Sequence, residues 1–483
     1  MLDFPTLYTL TVFFLMVMFL IWRPHGINES IPPAISAIFI FLGGIVPLSN
    51  IFEILGIVSG AAITILSTIV MSIVLDSIGF FRWAALNLVN RANGSGVLLY
   101  WYINLLCFLM TMFFNNDGSI LITTPIIIYI VTLLKLKDHQ QFPYLLSGAL
   151  VATAASAPIA VSNLANLIAL KIVGLDLNAY VAMMFVPSML GITTIALLLF
   201  YYFREDIPKK IPVLTASYIN EKHSDSLSSI PPHIHHPPRP PHSPHPIHSP
   251  HPPHPSHTPQ QLADNANHTA MIDMSMFKVC IAIVTMIRAG LFIGASFGIP
   301  IEWVGIFGAL LLIGYRWYRK GVVPYDIVKK TPWHIILFAF SIYVVVYGLH
   351  NIGLTALLVD LLREPISANY LNASLISGGL LTVMSNLFNN LPSVMIGTFT
   401  LTEMGLDLPM LQIAYLANII GADIGSLITP MGTLASLIWM YLLRKNAIRI
   451  SWAKYLKVTI MVIPIGLLIS LLSLYIWVEW LFF

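Results

Sequence analysis

The stretch Asn115-Asn116-Asp117-Gly118 interrupts an apolar run, with residues 97–114 before it and 119–136 after it. Hydrocarbon tolerates neither an acid nor a break in the backbone ladder unless protein or water satisfies both, so a polar knot at this depth marks a site. A second copy, Asn389-Asn390-Leu391-Pro392, stands 274 residues later. The two stretches read Phe-Asn-Asn-Asp-Gly-Ser and Phe-Asn-Asn-Leu-Pro-Ser.

Composition sets the frame around the knots. With 57% apolar residues, 9% charged residues and a mean hydropathy of +0.83, the chain has too little polar surface to face water. Many of its apolar runs reach the ~20 residues that a crossing helix needs, and none shows the short alternation of an outer-membrane barrel. The expected fold is therefore an all-α polytopic membrane protein. Residues 1–22 lack the basic start and cleavage site of a signal peptide and read as the first helix. Cys107 and Cys280 fall inside apolar runs with no metal or redox spacing, as small buried hydrophobes do.

The knots belong to a longer repetition. Leu75-Asp76-Ser77-Ile78-Gly79 matches Leu349-His350-Asn351-Ile352-Gly353 at the same offset of 274. Ile31-Pro32 matches Ile299-Pro300 at 268, and Leu164-Ala165-Asn166-Leu167-Ile168 matches Leu434-Ala435-Ser436-Leu437-Ile438 at 270. Residues 1–203 and 277–483 are thus expected to be two inverted repeats. Each holds about five transmembrane helices, one re-entrant hairpin at the knot and one broken helix. Residues 204–276 form a cytoplasmic linker whose Pro/His-rich part, 231–259, carries nine histidines without fixed ligand spacing. It reads as extended, disordered chain rather than as a metal site.

Orientation follows from basic residues. With five crossings and one hairpin per half, 20 of the 24 Lys and Arg fall on one face; without the five in the long linker the ratio is 15 to 4. The linker is expected in the cytoplasm and both termini outside, and an odd number of crossings per half inverts the repeats. Such repeats are the mark of secondary transporters, with the site at their interface and built from interrupted helices.

Four interruptions are expected to converge. Gly118 and Pro392 supply the breaks at the hairpin tips. Residues 153–166 (TAASAPIAVSNLAN, with Pro158) and 423–436 (DIGSLITPMGTLAS, with Gly425 and Pro430) supply breaks in runs too long for one straight span. The acids among them are Asp117 and Asp423. An ionised aspartate at the bilayer centre costs about 3 kcal/mol, so each is protonated, paired or solvated, and each is a candidate for proton coupling. Neither acid recurs in the other repeat, where Leu391 and Thr153 stand. Arg288, within an apolar run, and Lys171, at the end of a broken helix, read as structural cations. Asp76 and His350 read as interfacial.

FFNNDGSILITTPIIIYI, FNNLPSVMIGT, YLANIIGADIGSLITPMGTLASLIW and FSIYVVVYGLHNIGL closely resemble the arsenite efflux permeases of the ArsB type, within the ion transporter superfamily. The similarity runs from about residue 22 to 452, the Pro/His segment excepted. It implies a multi-pass transporter of the bacterial cell membrane that exports trivalent arsenic or antimony as neutral hydroxides, driven by inward protons. It also implies a homodimer and, for some relatives, a cytoplasmic arsenite-stimulated ATPase; no cofactor and no nucleic acid enter. A small trihydroxide both donates and accepts hydrogen bonds, which suits Asn, Ser, Thr and backbone groups. Asn115, Asn116, Asn389, Asn390, Ser162, Asn163, Thr429 and Thr433 are the candidates for that cage. A carrier of sodium or of an anion such as a dicarboxylate is the alternative. An intramembrane aspartyl protease is remote, since Asn-Asp-Gly and Gly-Ala-Asp are not that enzyme's motifs.

Overall fold

The computed structural model describes residues 3–22, 27–212 and 274–482. The Pro/His-rich segment and most of the linker lie outside the described residues. Within them every regular element is helical. The first half holds α1 (Phe4–Trp22), α2 (Ile31–Leu42), α3 (Leu48–Ser77), α4 (Phe80–Arg91), α5 (Gly96–Phe113), α6 (Asn116–Leu133), α7 (Asp138–Ala154), α8 (Leu164–Val173) and α9 (Leu177–Phe203). The second holds α10 (Met274–Ser296), α11 (Ile301–Lys320), α12 (Tyr325–Lys330), α13 (His334–Asn351), α14 (Leu354–Ser367), α15 (Tyr370–Phe388), α16 (Asn390–Glu403), α17 (Leu408–Asp423), α18 (Leu434–Lys445) and α19 (Trp452–Phe482). Among the described residues ten segments are long and apolar enough to cross a bilayer, and the chain is a multi-pass membrane protein.

The element order repeats. α5 and α15 begin 274 residues apart, as do α6 and α16, and α7–α8 match α17–α18 at 270. α4 and α14, which the apolar runs did not reveal, each follow a left-handed glycine, Gly79 (φ +84°) and Gly353 (φ +87°). Packing between halves is reciprocal: α2 lies on α13 and α3 on α11, α6 on α18 and α8 on α16, and α9 on its own counterpart α19.

Where helices cross closely, glycine admits the approach. A Cβ at Gly421 of α17 would sit 2.2 Å from the Gly378 carbonyl of α15. Close contact between small residues is what holds helices together when lipid is as apolar as the side chains.

α8 and α18 have 10 and 12 residues and are about 15–18 Å long, half of a ~30 Å hydrocarbon core. Each therefore crosses only together with the helix before it. The gaps between them, residues 155–163 and 424–433, put unwound backbone at depth, where its carbonyls need partners. The last helix of each half supplies one. Tyr180 of α9 donates to the Ala157 carbonyl at 2.6 Å, and Tyr455 of α19 donates to the Leu427 carbonyl at 3.0 Å.

Candidate functional site

The first hairpin tip is made by two residues outside helical geometry, Phe114 (φ −127°, ψ −99°) and Asn115 (φ −160°, ψ 166°). Asn115 caps α6, its Oδ1 accepting from Gly118 N at 3.0 Å, and Asn116 Oδ1 accepts from Asp117 N at 2.7 Å. At the other end of the tip the Phe113 and Phe114 carbonyls accept from the guanidinium of Arg288, which reaches across from α10 and is buried. A cation at a helix C-terminus is the favourable arrangement, so Arg288 neither pairs with an acid nor snorkels.

The second tip turns at one residue. Asn389 (φ +76°) ends α15 and caps α16. Its Nδ2 donates to the Met431 carbonyl at 3.2 Å, and Asn390 N donates to the Gly432 carbonyl at 2.9 Å, so this tip is fastened to the break before α18. In the place of a cation stands an aromatic cluster, Phe388 against Phe13 and Phe14 of α1.

Gly118 and Pro392 therefore do not supply the breaks, which fall at 114–115 and at 389. Both lie in the first turn of the helix that follows. There Pro392 forfeits no helical bond, and a Cβ at Gly118 would sit 2.4 Å from Asn115 Oδ1, so glycine keeps the cap in place. Pro158, Gly425 and Pro430 do lie in the two gaps, Gly425 opening a short 3-10 turn, Gly425–Ile428.

The gaps are held by asparagines. Asn163 caps α8, its Oδ1 accepting from Ala165 N at 3.1 Å, and its Nδ2 donates to Asp423 Oδ1 at 2.7 Å. Asn166, one turn on, donates to Asp423 Oδ2 at 2.6 Å. Both oxygens of this buried carboxylate, at the end of α17, are thus held by the other half of the chain. Asn386 donates to the Gly425 carbonyl at 2.9 Å and accepts from Thr429 N at 2.8 Å, and Thr433 Oγ1 caps α18 by accepting from Ser436 N at 3.0 Å.

A small cavity of about 30 Å³ lies where these elements meet, lined by Asn116, Asp117, Asn163, Asn389 and Asn390 together with Ile65, Phe338 and the leucines that open α8, α16 and α18. It has room for about two waters. Asp117 lines it, and its carboxylate has no hydrogen-bond or ion-pair partner among the described residues. Asn163 belongs to both the cavity and Asp423, and so links the two acids. Of the eight cage candidates the structure brings four to the cavity, Asn116, Asn163, Asn389 and Asn390. Asn115 and Thr433 are occupied as caps. Ser162 and Thr429 are off the lining, with hydroxyls that have no partner.

Sequence reasoning missed Asn166 and Asn386, and the tyrosines above. For Asn166 there was a signal, since it stands three residues after Asn163 and so shares its helix face. Lys171 donates to the Gly56 carbonyl of α3 at 2.6 Å, a tie between helices rather than a cap of its own. His350, near the end of α13, faces Glu403 at 3.0 Å, and Cys107 and Cys280 are buried away from the cavity.

A family model described as citrate transporter matches residues 9–421 of this chain. The chain belongs to that family. A Bacillus subtilis (strain 168) protein named "Putative arsenical pump membrane protein" is 46% identical over 470 residues, 97% of this chain and 99% of that one. An Escherichia coli "Arsenical pump membrane protein" is 28% identical over 455 residues, 94% and 95% of the two chains, and one from Yersinia enterocolitica is 28% identical over 456. The resemblance to ArsB-type permeases read from the polar motifs holds over nearly the whole length. This member of the citrate transporter family is an ArsB-like membrane transporter.

Proposed function

We propose that the chain exports arsenite and antimonite, as neutral trihydroxides, in exchange for protons and so confers arsenic resistance. The observation that carries this reading is the cavity where four helices begin. α6, α8, α16 and α18 all start at or beside it, and each N-terminus is worth roughly +0.5 elementary charge. Four sum to about +2, which Asp117 and Asp423 offset when ionised. A site near neutrality, lined by amides that donate and accept, suits an uncharged polyhydroxide.

Coupling follows from Asp423. Ionised, it occupies one amide N–H of Asn163 and one of Asn166. Protonated, one of its oxygens becomes a donor, and an asparagine amide is released toward the cavity and its cargo. Asp117, which lines the cavity, is the second proton carrier. Alternating access then follows if the two halves are inverted, with the linker in the cytoplasm and both termini outside, as the basic residues suggest. A homodimer and a cytoplasmic ATPase partner belong to the same reading through the resemblance.

The description of the family model favours a second cargo, a carboxylate such as citrate. The lining speaks against it: no Lys, Arg or His borders the cavity among the described residues, and the Asp117 carboxylate does. In a sensitive host, Asn116→Ala or Asn390→Ala is expected to abolish arsenite resistance while the protein still reaches the membrane. Undiminished resistance in both would sink the cage. Citrate uptake by purified protein that ignores arsenite would establish the carboxylate reading instead.

A further inference from the structure

Away from the central cavity, a larger one of about 140 Å³ opens between the start of α7 and the loop from α18 to α19, lined among others by Asp138, Gln141, Phe142, Arg449 and Lys454. That is roughly ten times the ~10–15 Å³ that one water requires. The Lys454 ammonium stands 4.0 Å from the centre of the Phe142 ring, which fixes its position without an acceptor. The Arg449 guanidinium has no hydrogen-bond or ion-pair partner among the described residues. The Asp138 carboxylate is accounted for by its place in the first turn of α7. Residues 135–145 and 444–457, which bring these groups together, carry seven basic residues and one acidic one, so the seam lacks an anion.

Its depth and shape say what kind. Trp452, which opens α19, and Tyr441 of α18 are both exposed, and amphipathic rings of this kind sit at the headgroup level. Below them, Lys454, Lys457, Met461, Ile465 and Leu468 follow one another along one exposed face of α19 at helical spacing. Met461 is 61%, Ile465 47% and Leu468 49% exposed. A cationic cavity at headgroup level thus continues into an apolar stripe that runs into the membrane.

We propose that this seam binds an anionic phospholipid, its phosphate between Arg449 and Lys454 and its acyl chains along Met461, Ile465 and Leu468. Cationic pockets between helices at the headgroup level recognise lipid phosphates in this way. α18 begins at the Thr433 cap and ends at this loop, so a seated headgroup fastens the C-terminal end of α18 to α7.

The test uses the full chain, purified in neutral detergent, with thermal unfolding followed as lipid is added. Phosphatidylglycerol is expected to raise the midpoint by about 3 °C, and phosphatidylcholine or inorganic phosphate at the same concentration is not. The rise should vanish in the double variant Arg449→Ala/Lys454→Ala and persist in Arg363→Ala, which removes a cation elsewhere. Mass spectrometry of the intact wild-type protein should show a retained anionic lipid, so the proposal stays testable if the double variant does not fold. A full shift with phosphate alone would make this a free-anion site and overturn the lipid assignment. An undiminished phosphatidylglycerol effect in the double variant, or no retained lipid on the wild type, would overturn the site. So would disulfide crosslinking of the Met461→Cys variant to a second copy regardless of lipid, which would make the face an interface.

Discussion

Replacing Arg288 by leucine removes a cation that holds the first hairpin tip. Its guanidinium donates to the carbonyls of Phe113 and Phe114 and is 7% exposed. Hydrogen bonds to a charged group are worth about 1.5–3 kcal/mol each, so the pair contributes about 3–6 kcal/mol. Burying the guanidinium costs several kcal/mol in return, which leaves a net loss of about 1–3 kcal/mol in Arg288→Leu. Unfolding in detergent should shift down by a few degrees. Transport should suffer more than stability, because the residues after those carbonyls are Asn115, Asn116 and Asp117. Arsenite transport by Arg288→Leu in proteoliposomes is expected to fall tenfold or more, with partial recovery in Arg288→Lys, which keeps a cation but not the fork that serves two carbonyls. A leucine variant that melts and transports as the wild type does would refute the assignment of this tip's order to Arg288.

Other substitutions probe the remaining joints. In Gly432→Ala the new Cβ would sit 1.9 Å from the Ser426 carbonyl; the backbone must move, the Asn390 N to Gly432 O bond is lost at about 1–3 kcal/mol, and both melting temperature and transport should drop. Ser162→Ala and Thr429→Val remove hydroxyls that lie off the cavity lining and have no partner among the described residues, and should leave both stability and the arsenite KM unchanged; a KM that rises severalfold would bring them back into the cage. Asp423→Asn should leave the protein folded but make arsenite movement independent of the pH gradient, and gradient-driven transport at the wild-type rate in that variant would exclude Asp423 as a carrier.

The repeated order of elements was legible because an unwound tip in hydrocarbon needs polar side chains at fixed places, and the Asn-Asn pairs kept that register through 274 residues. The gaps after each hairpin were legible for the same reason, since runs of 30-odd residues too long for one straight span collect Pro158, Gly425 and Pro430 with Ser, Thr and Asn near their middles. The turning points were misplaced because glycine and proline are also at home in a helix's first turn, and there Gly118 and Pro392 lie. α4 and α14 escaped notice because 12 and 14 residues of mixed polarity make no crossing-length apolar run. The destination of Arg288 and the staples from Tyr180 and Tyr455 are tertiary facts. Each joins residues that the chain order holds apart, and no local pattern announces them.

Whether the four helix starts form one site that exchanges a neutral trihydroxide for a proton can be read most directly from arsenite movement in proteoliposomes of the purified chain under an imposed pH gradient, with Asn390→Ala and Asp423→Asn beside the wild type. Arsenite should move against the proton flux in the wild type, not at all in Asn390→Ala, and without regard to the gradient in Asp423→Asn. Wild-type arsenite movement that ignores the pH gradient, or gradient-driven movement that survives both substitutions, would contradict such an exchange.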